Sequence, residues 1–118
     1  MVDVGEAAPD FVLKDQDRAE VRLSDFRGSK NVVLVFYPFS FSGICTGKLC
    51  EIRDDLGEWV GDDVQTLAIS VDCLQVHKGW ADAQGYGFPL LADYWPHGEV
   101  ARAYGVFSEE VGCAFRAT

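Results

Sequence analysis

Residues 31–58 of this 118-residue chain read NVVLVFYPFSFSGICTGKLCEIRDDLGE. Val32 to Phe36 form an unbroken apolar run rich in β-branched residues, the pattern of a strand buried on both faces. Pro38, Ser40, Ser42 and Gly43 then break the pattern with turn chemistry. From about Ile44 the apolar spacing Ile44, Leu49, Ile52, Leu56 and Trp59 fits one face of a helix, so Cys45 falls in that helix's first turn. Unpaired backbone N–H groups and the positive end of the helix dipole favour a thiolate there. A free cysteine has a pKa near 8.5, and lowering it by about two units, roughly 3 kcal/mol, makes it mostly ionised at neutral pH. The stretch is organised for a reactive sulfur.

Working outward, Asp10 to Leu13 and Glu20 to Leu23 read as short strands of a hairpin turned at Lys14 to Arg18. Ser24 to Arg27 suits a helical turn before Gly28. Val64 to Val71, VQTLAISV, is a second buried strand, so strand, helix and strand imply a parallel crossover. Gln75 to Gly85 predicts a helix ended by glycine, Leu90 to Ala92 another strand, and Glu99 to Tyr104 a small helix closed by Gly105. Cys113 to Thr118 begins one more strand. Such alternation indicates a layered α/β domain, a single one at this length.

The composition, 48% hydrophobic and 25% charged, is that of a globular protein. A formal net charge of −9 argues against sequence-independent binding to nucleic acid or an anionic membrane, both of which need a basic surface. No apolar run approaches the roughly 18 to 20 residues of a membrane span, and the start MVDVGEAAPDF has neither a basic nor a long apolar segment. A cytoplasmic location is expected by default. Cys45, Cys50, Cys73 and Cys113 lack the paired short spacings of a zinc site, and His77 and His97 have no matching carboxylates, so no metal and no cofactor is expected. In a reducing compartment these cysteines are thiols with individual roles.

The spacing Pro38, Ser42, Cys45 at the end of a buried strand, P-x-x-x-[TS]-x-x-C, resembles the active-site signature of peroxiredoxins, the AhpC/TSA superfamily. Ala8-Pro9-Asp10-Phe11, Phe88-Pro89-Leu90-Leu91-Ala92-Asp93 and Tyr104-Gly105-Val106 ahead of Arg116 extend the resemblance over nearly the whole chain. Gly28-Ser29-Lys30-Asn31-Val32 and the run Asp93 to Phe107 are similar to the actinobacterial alkyl hydroperoxide reductase E group. Cys50, five residues after Cys45, instead looks like the resolving cysteine of the bacterioferritin comigratory protein, or Q-type, branch.

The resemblance implies a thioredoxin-like fold, with a central sheet flanked by helices. Relatives continue with a further strand pair and a terminal helix beyond this point, so either the sequence is part of a longer protein or the domain is unusually short; if those elements are absent, a sheet edge is left open to association. It also implies a thiol-dependent peroxidase acting on hydrogen peroxide or organic hydroperoxides. Cys45 is the nucleophile, Ser42 orients the peroxide, Pro38 shields the sulfur and Arg116 holds the thiolate ionised. Each has an ordinary alternative: a small buried hydrophobe for Cys45, a helix cap for Ser42, a strand stop for Pro38 and a surface cation for Arg116. Lys48 stands where many relatives carry glutamate.

On an intact helix the Cα atoms of Cys45 and Cys50 stand about 8.7 Å apart. A disulfide needs less than about 7 Å, so resolution by Cys50 requires the first turns of the helix to unwind. Cys113, near Arg116 in sequence, is the rival resolver, and Cys73 reads as packing. The implied partners are a peroxide, a thiol reductant such as thioredoxin, a glutaredoxin-like protein or a low-molecular-weight thiol, and a second copy in a homodimer. Two other classes stay open: a non-catalytic thiol redox sensor, and a thioredoxin-like disulfide reductase, for which CTGKLC lacks the C-x-x-C pair. Trp59, Trp80 and Trp95 are expected in the core or a dimer face.

Overall fold

The computed structural model describes residues 2–41, 43–55, 57, 60–61 and 63–118, and for 43–48 the backbone alone. The apolar run becomes β3 (Asn31–Phe36), after a hairpin of β1 (Val12–Lys14) and β2 (Glu20–Arg22) and a 3-10 turn at Leu23–Phe26. The break at Pro38 to Ser42 leads into α1 (Gly43–Asp54). Next come β4 (Val64–Ser70), α2 (Leu74–Gln84), β5 (Leu90–Ala92), α3 (Glu99–Ala103), β6 (Phe107–Ser108) and β7 (Cys113–Ala114).

The central sheet has the order β3-β4-β5. β3 pairs parallel with β4 from Asn31↔Val64 to Phe36↔Ile69, and β4 pairs parallel with β5 from Ala68↔Leu90 to Ser70↔Ala92. Two packed clusters cover its faces, as the period-two alternation of strand side chains requires. Val35, Tyr37, Ala68 and Leu90 meet Leu49 and Ile52 of α1 and Trp80 and Ala81 of α2 on one face. Phe36, Leu67, Ile69 and Leu91 meet Val100 and Ala101 of α3, Tyr104 and Phe11 on the other. Leu49 and Ile52 are fully buried, as the helical spacing predicts; Leu56 and Trp59 lie outside the described residues.

Two of the sequence motifs are structural in this fold. In the first, Asp10 Oδ1 accepts the N–H groups of Phe11 and Ser24, both at 2.9 Å, and the Pro9 carbonyl accepts the Tyr104 hydroxyl at 2.7 Å. In the second, buried Asp93 caps α3: Oδ1 accepts the Val100 N–H at 3.0 Å and Oδ2 the Ala101 N–H at 2.9 Å. Burial pushes the Asp93 carboxyl above its ordinary pKa, against the pull of these two amides. Gly85, in the left-handed region at φ 71°, ends α2 by donating to the Ala81 carbonyl at 2.8 Å.

One expectation is corrected. The strand expected over Cys113 to Thr118 is only Cys113–Ala114, paired antiparallel with β6, because the chain then leaves β6 and forms an isolated antiparallel bridge, Ala117 to Phe36. The β6–β7 hairpin itself was not foreseen. Trp80 is fully buried in the core, and Trp95 is 80% exposed on the loop between β5 and α3.

Candidate active site

The site is built where β3 hands over to α1. Tyr37 continues the strand, donating its N–H to the Ile69 carbonyl at 3.1 Å. Pro38, half-buried, has no N–H with which to extend the ladder, so the chain turns away. Cys45 is the third residue of α1, within the turn whose backbone N–H groups lack helical acceptors, and no acidic residue stands in that turn. The Cys45 and Lys48 side chains, and Ser42 altogether, lie outside the described residues.

Arg116 reaches this corner through the terminal bridge. Phe36 and Ala117 exchange both backbone bonds, at 2.7 and 3.1 Å. Ala117 packs with Phe36 in the cluster on the α3 face. Arg116 is the residue just before this antiparallel bridge, which sets its backbone beside the end of β3 that leads on to α1. It is exposed and pairs with no carboxylate among the described residues. The structure thus brings Pro38, the start of α1 and Arg116 to one end of β3.

Cys50 is held elsewhere. Its Sγ lies 3.5 Å from Gln84 Oε1 and 3.6 Å from the Tyr86 hydroxyl, against the core cluster under α1. Burial, aided by the bond to Cys50, holds the Tyr86 phenol well above its ordinary pKa, so it stays protonated and able to donate. Arg53, on the next turn, donates Nη1–H to the Gln84 carbonyl at 2.6 Å and pairs with Asp54 at 3.0 Å. α1 runs unbroken from Gly43 to Asp54, so Cys45 and Cys50 share one intact helix. Cys113 is buried in β7, and Cys73 stands at the N-cap of α2 without a capping side-chain bond. His97 is exposed and bonded to the Gly112 carbonyl at 2.6 Å, while His77 is fully buried. Among the described residues no group of three metal-ligating side chains converges.

Sequence reasoning missed the polar cluster behind the turn. The Ser40 N–H donates to Asp72 Oδ2 at 2.6 Å, Ser70 Oγ donates to the same oxygen at 2.8 Å, and His77 Nε2 lies 2.7 Å from Ser70 Oγ. The available signal was Ser70 and Asp72 at the carboxyl end of a buried parallel strand, where open α/β sheets place their ligands.

Residues 4–118 match the AhpC/TSA family. The chain is a peroxiredoxin of that family. The peroxiredoxin is 53% identical over all 118 residues to the alkyl hydroperoxide reductase E of Mycobacterium bovis and of Mycobacterium tuberculosis, and spans 77% of their length. Its structure is similar to the crystal structure of peroxidoxin BcpB from Mycobacterium tuberculosis, with a TM-score of 0.83 and 31% identity over 95% of this chain and 71% of that one. It is also similar to the reduced 2-Cys peroxiredoxin of Plasmodium vivax, with a TM-score of 0.82 and 28% identity over 96% of this chain and 74% of that one. These likenesses establish the thioredoxin-like fold and make the peroxiredoxin an enzyme.

Proposed function

We propose that this peroxiredoxin reduces hydrogen peroxide or organic hydroperoxides with Cys45 as nucleophile. The thiolate attacks one peroxide oxygen, the O–O bond breaks, and the other oxygen leaves as water or alcohol after taking a proton, which converts Cys45 to a sulfenic acid. Ser42 orients the peroxide, Arg116 donates to it and holds the thiolate ionised, and Pro38 limits access of water to the sulfur. The supporting observation is the antiparallel bridge between Phe36 and Ala117, which sets the backbone of Arg116 beside the strand end that leads into α1.

In the second step Cys50 attacks the sulfenic acid, forming a disulfide and releasing water. Its thiol is packed away from the start of α1, so this step needs the helix to open. An external thiol then reduces the disulfide: thioredoxin, a glutaredoxin-like protein or a small thiol. The relatives named alkyl hydroperoxide reductase support the peroxide substrate. A homodimer and a cytoplasmic location belong to the same reading.

Stopped-flow tryptophan fluorescence of the reduced protein mixed with hydrogen peroxide tests the first step. The reading expects oxidation that Cys45→Ser abolishes and Arg116→Ala slows; a rate no greater than that of free cysteine excludes it. Mapping the bridges by mass spectrometry after one equivalent of peroxide tests the second step, for which a Cys45–Cys50 link is required.

A further inference from the structure

The polar cluster at the end of β4 reaches the site loop through the Ser40 backbone N–H. Ser70 is buried at the last position of β4, and His77 is buried in the first turn of α2. Ser70 Oγ donates to Asp72 Oδ2 at 2.8 Å, lies 2.7 Å from His77 Nε2, and accepts the Asp72 N–H at 3.2 Å. These three bonds fix the carboxylate from behind. Its Oδ2 then accepts the Ser40 N–H at 2.6 Å, a charge-assisted bond from β4 across to the loop that leaves β3. The Ser40 hydroxyl also meets the Tyr37 hydroxyl at 3.3 Å.

The residue after Ser40 explains why such an anchor is needed. Phe41 has φ 67°, a left-handed conformation that a residue with a Cβ keeps only when its surroundings hold it. Its ring is 60% exposed, touching Trp80 at a centroid distance of 5.9 Å, so packing alone holds it weakly. The backbone bond at Ser40 is the firm constraint beside it.

We infer that Asp72, backed by Ser70 and His77, is a positioning residue: through the Ser40 N–H it keeps the strained Phe41 turn in place and so sets how the chain enters α1 at Cys45. The inference rests on the peroxidase reading above. Loosening the turn changes how the chain enters α1, and a misplacement of about 1 Å costs up to about 100-fold in rate.

The test measures the second-order rate constant for oxidation of the reduced, full chain by hydrogen peroxide. Asp72→Ala is expected to lower it about 10- to 100-fold. Asp72→Asn, which keeps the shape and a neutral acceptor for the Ser40 amide, is expected to lose a smaller factor in the same direction, and it serves if the alanine variant does not fold. The discriminating readout is the background Phe41→Gly. Glycine takes positive φ without strain, so the loss caused by either Asp72 variant must shrink there. A general loss of stability would leave it unchanged. Wild-type rates in the Asp72 variants, or equal losses in both backgrounds, overturn the inference alone; a wild type no faster than free cysteine overturns it together with the peroxidase reading.

Discussion

Acidification from pH 7.5 to 4.5 is expected to weaken this fold by about 2 to 3 kcal/mol through His77 alone. Its side chain is fully buried, and desolvation lowers its pKa from 6.5 to about 4. Asp72, 3.8 Å away on the β4–α2 loop, pulls in the opposite direction but does not win. The other groups facing the ring are neutral: the Ser70 hydroxyl, the Tyr37 ring at 6.3 Å and the Leu90 main chain of β5. Below pH 6.5 the unfolded chain binds a proton at His77 that the folded chain refuses. Stability therefore falls as pH falls through this range and levels off below about 4, with a full effect of roughly 3 kcal/mol. Above about pH 7 this residue adds no slope.

Urea unfolding at a series of pH values checks this. With a slope of about 1 to 3 kcal/mol per molar urea, the midpoint should drop by about 0.7 to 3 M between pH 7.5 and 4.5. Carboxylates titrate over the same interval, so the comparison is with His77→Gln, in which the carboxylate contribution remains and the histidine contribution is gone. The difference between the two proteins should grow as pH falls below 6.5. Parallel curves, or an imidazole that titrates by NMR near 6.5 in the folded protein, would refute the reasoning.

Gly98→Ala should destabilise by about 2 to 4 kcal/mol in thermal or urea unfolding, because φ is 70° there and an added Cβ would clash with the Phe107 ring. Phe107→Ala in the same chain should relieve the clash but not the backbone strain. Asp93→Ala should cost about 2 to 4 kcal/mol by leaving the buried Val100 and Ala101 amides without acceptors; an unchanged melting temperature would show that water replaces the carboxylate. Tyr86→Phe removes a donor to Cys50, so disulfide formation after oxidation should speed up several-fold while the initial reaction with peroxide keeps its rate. Quenched-flow mass spectrometry separates the two steps, and an unchanged second step would show that Tyr86 does not restrain Cys50.

The unit of β3, turn and α1 was legible because each part carries its own signal: β-branched residues for the strand, Pro38 and Gly43 for the break, Leu49 and Ile52 at helical spacing for the buried face. β4 was legible for the same reason. The β6–β7 hairpin was not, since strands of two residues leave no period to detect. The Asp93 cap escaped notice because the carboxylate stands several residues ahead of α3, where no local capping pattern looks. Asp72, Ser70 and His77 read as loop and packing residues because their joint role exists only after β3, β4 and α2 are side by side. Within the site itself, Cys45 could be reasoned from helix chemistry, whereas Arg116 came only from the family resemblance.

The bridge between Phe36 and Ala117 has a bearing on when the enzyme becomes competent. In the mechanism proposed above, sulfur and helix are neighbours along the chain and can form early, but the Arg116 guanidinium arrives only after a loop of roughly eighty residues has closed. A partly assembled molecule would carry a thiol not yet primed for oxidants, so reactivity toward peroxide would report completion of the whole domain rather than the local state of one helix.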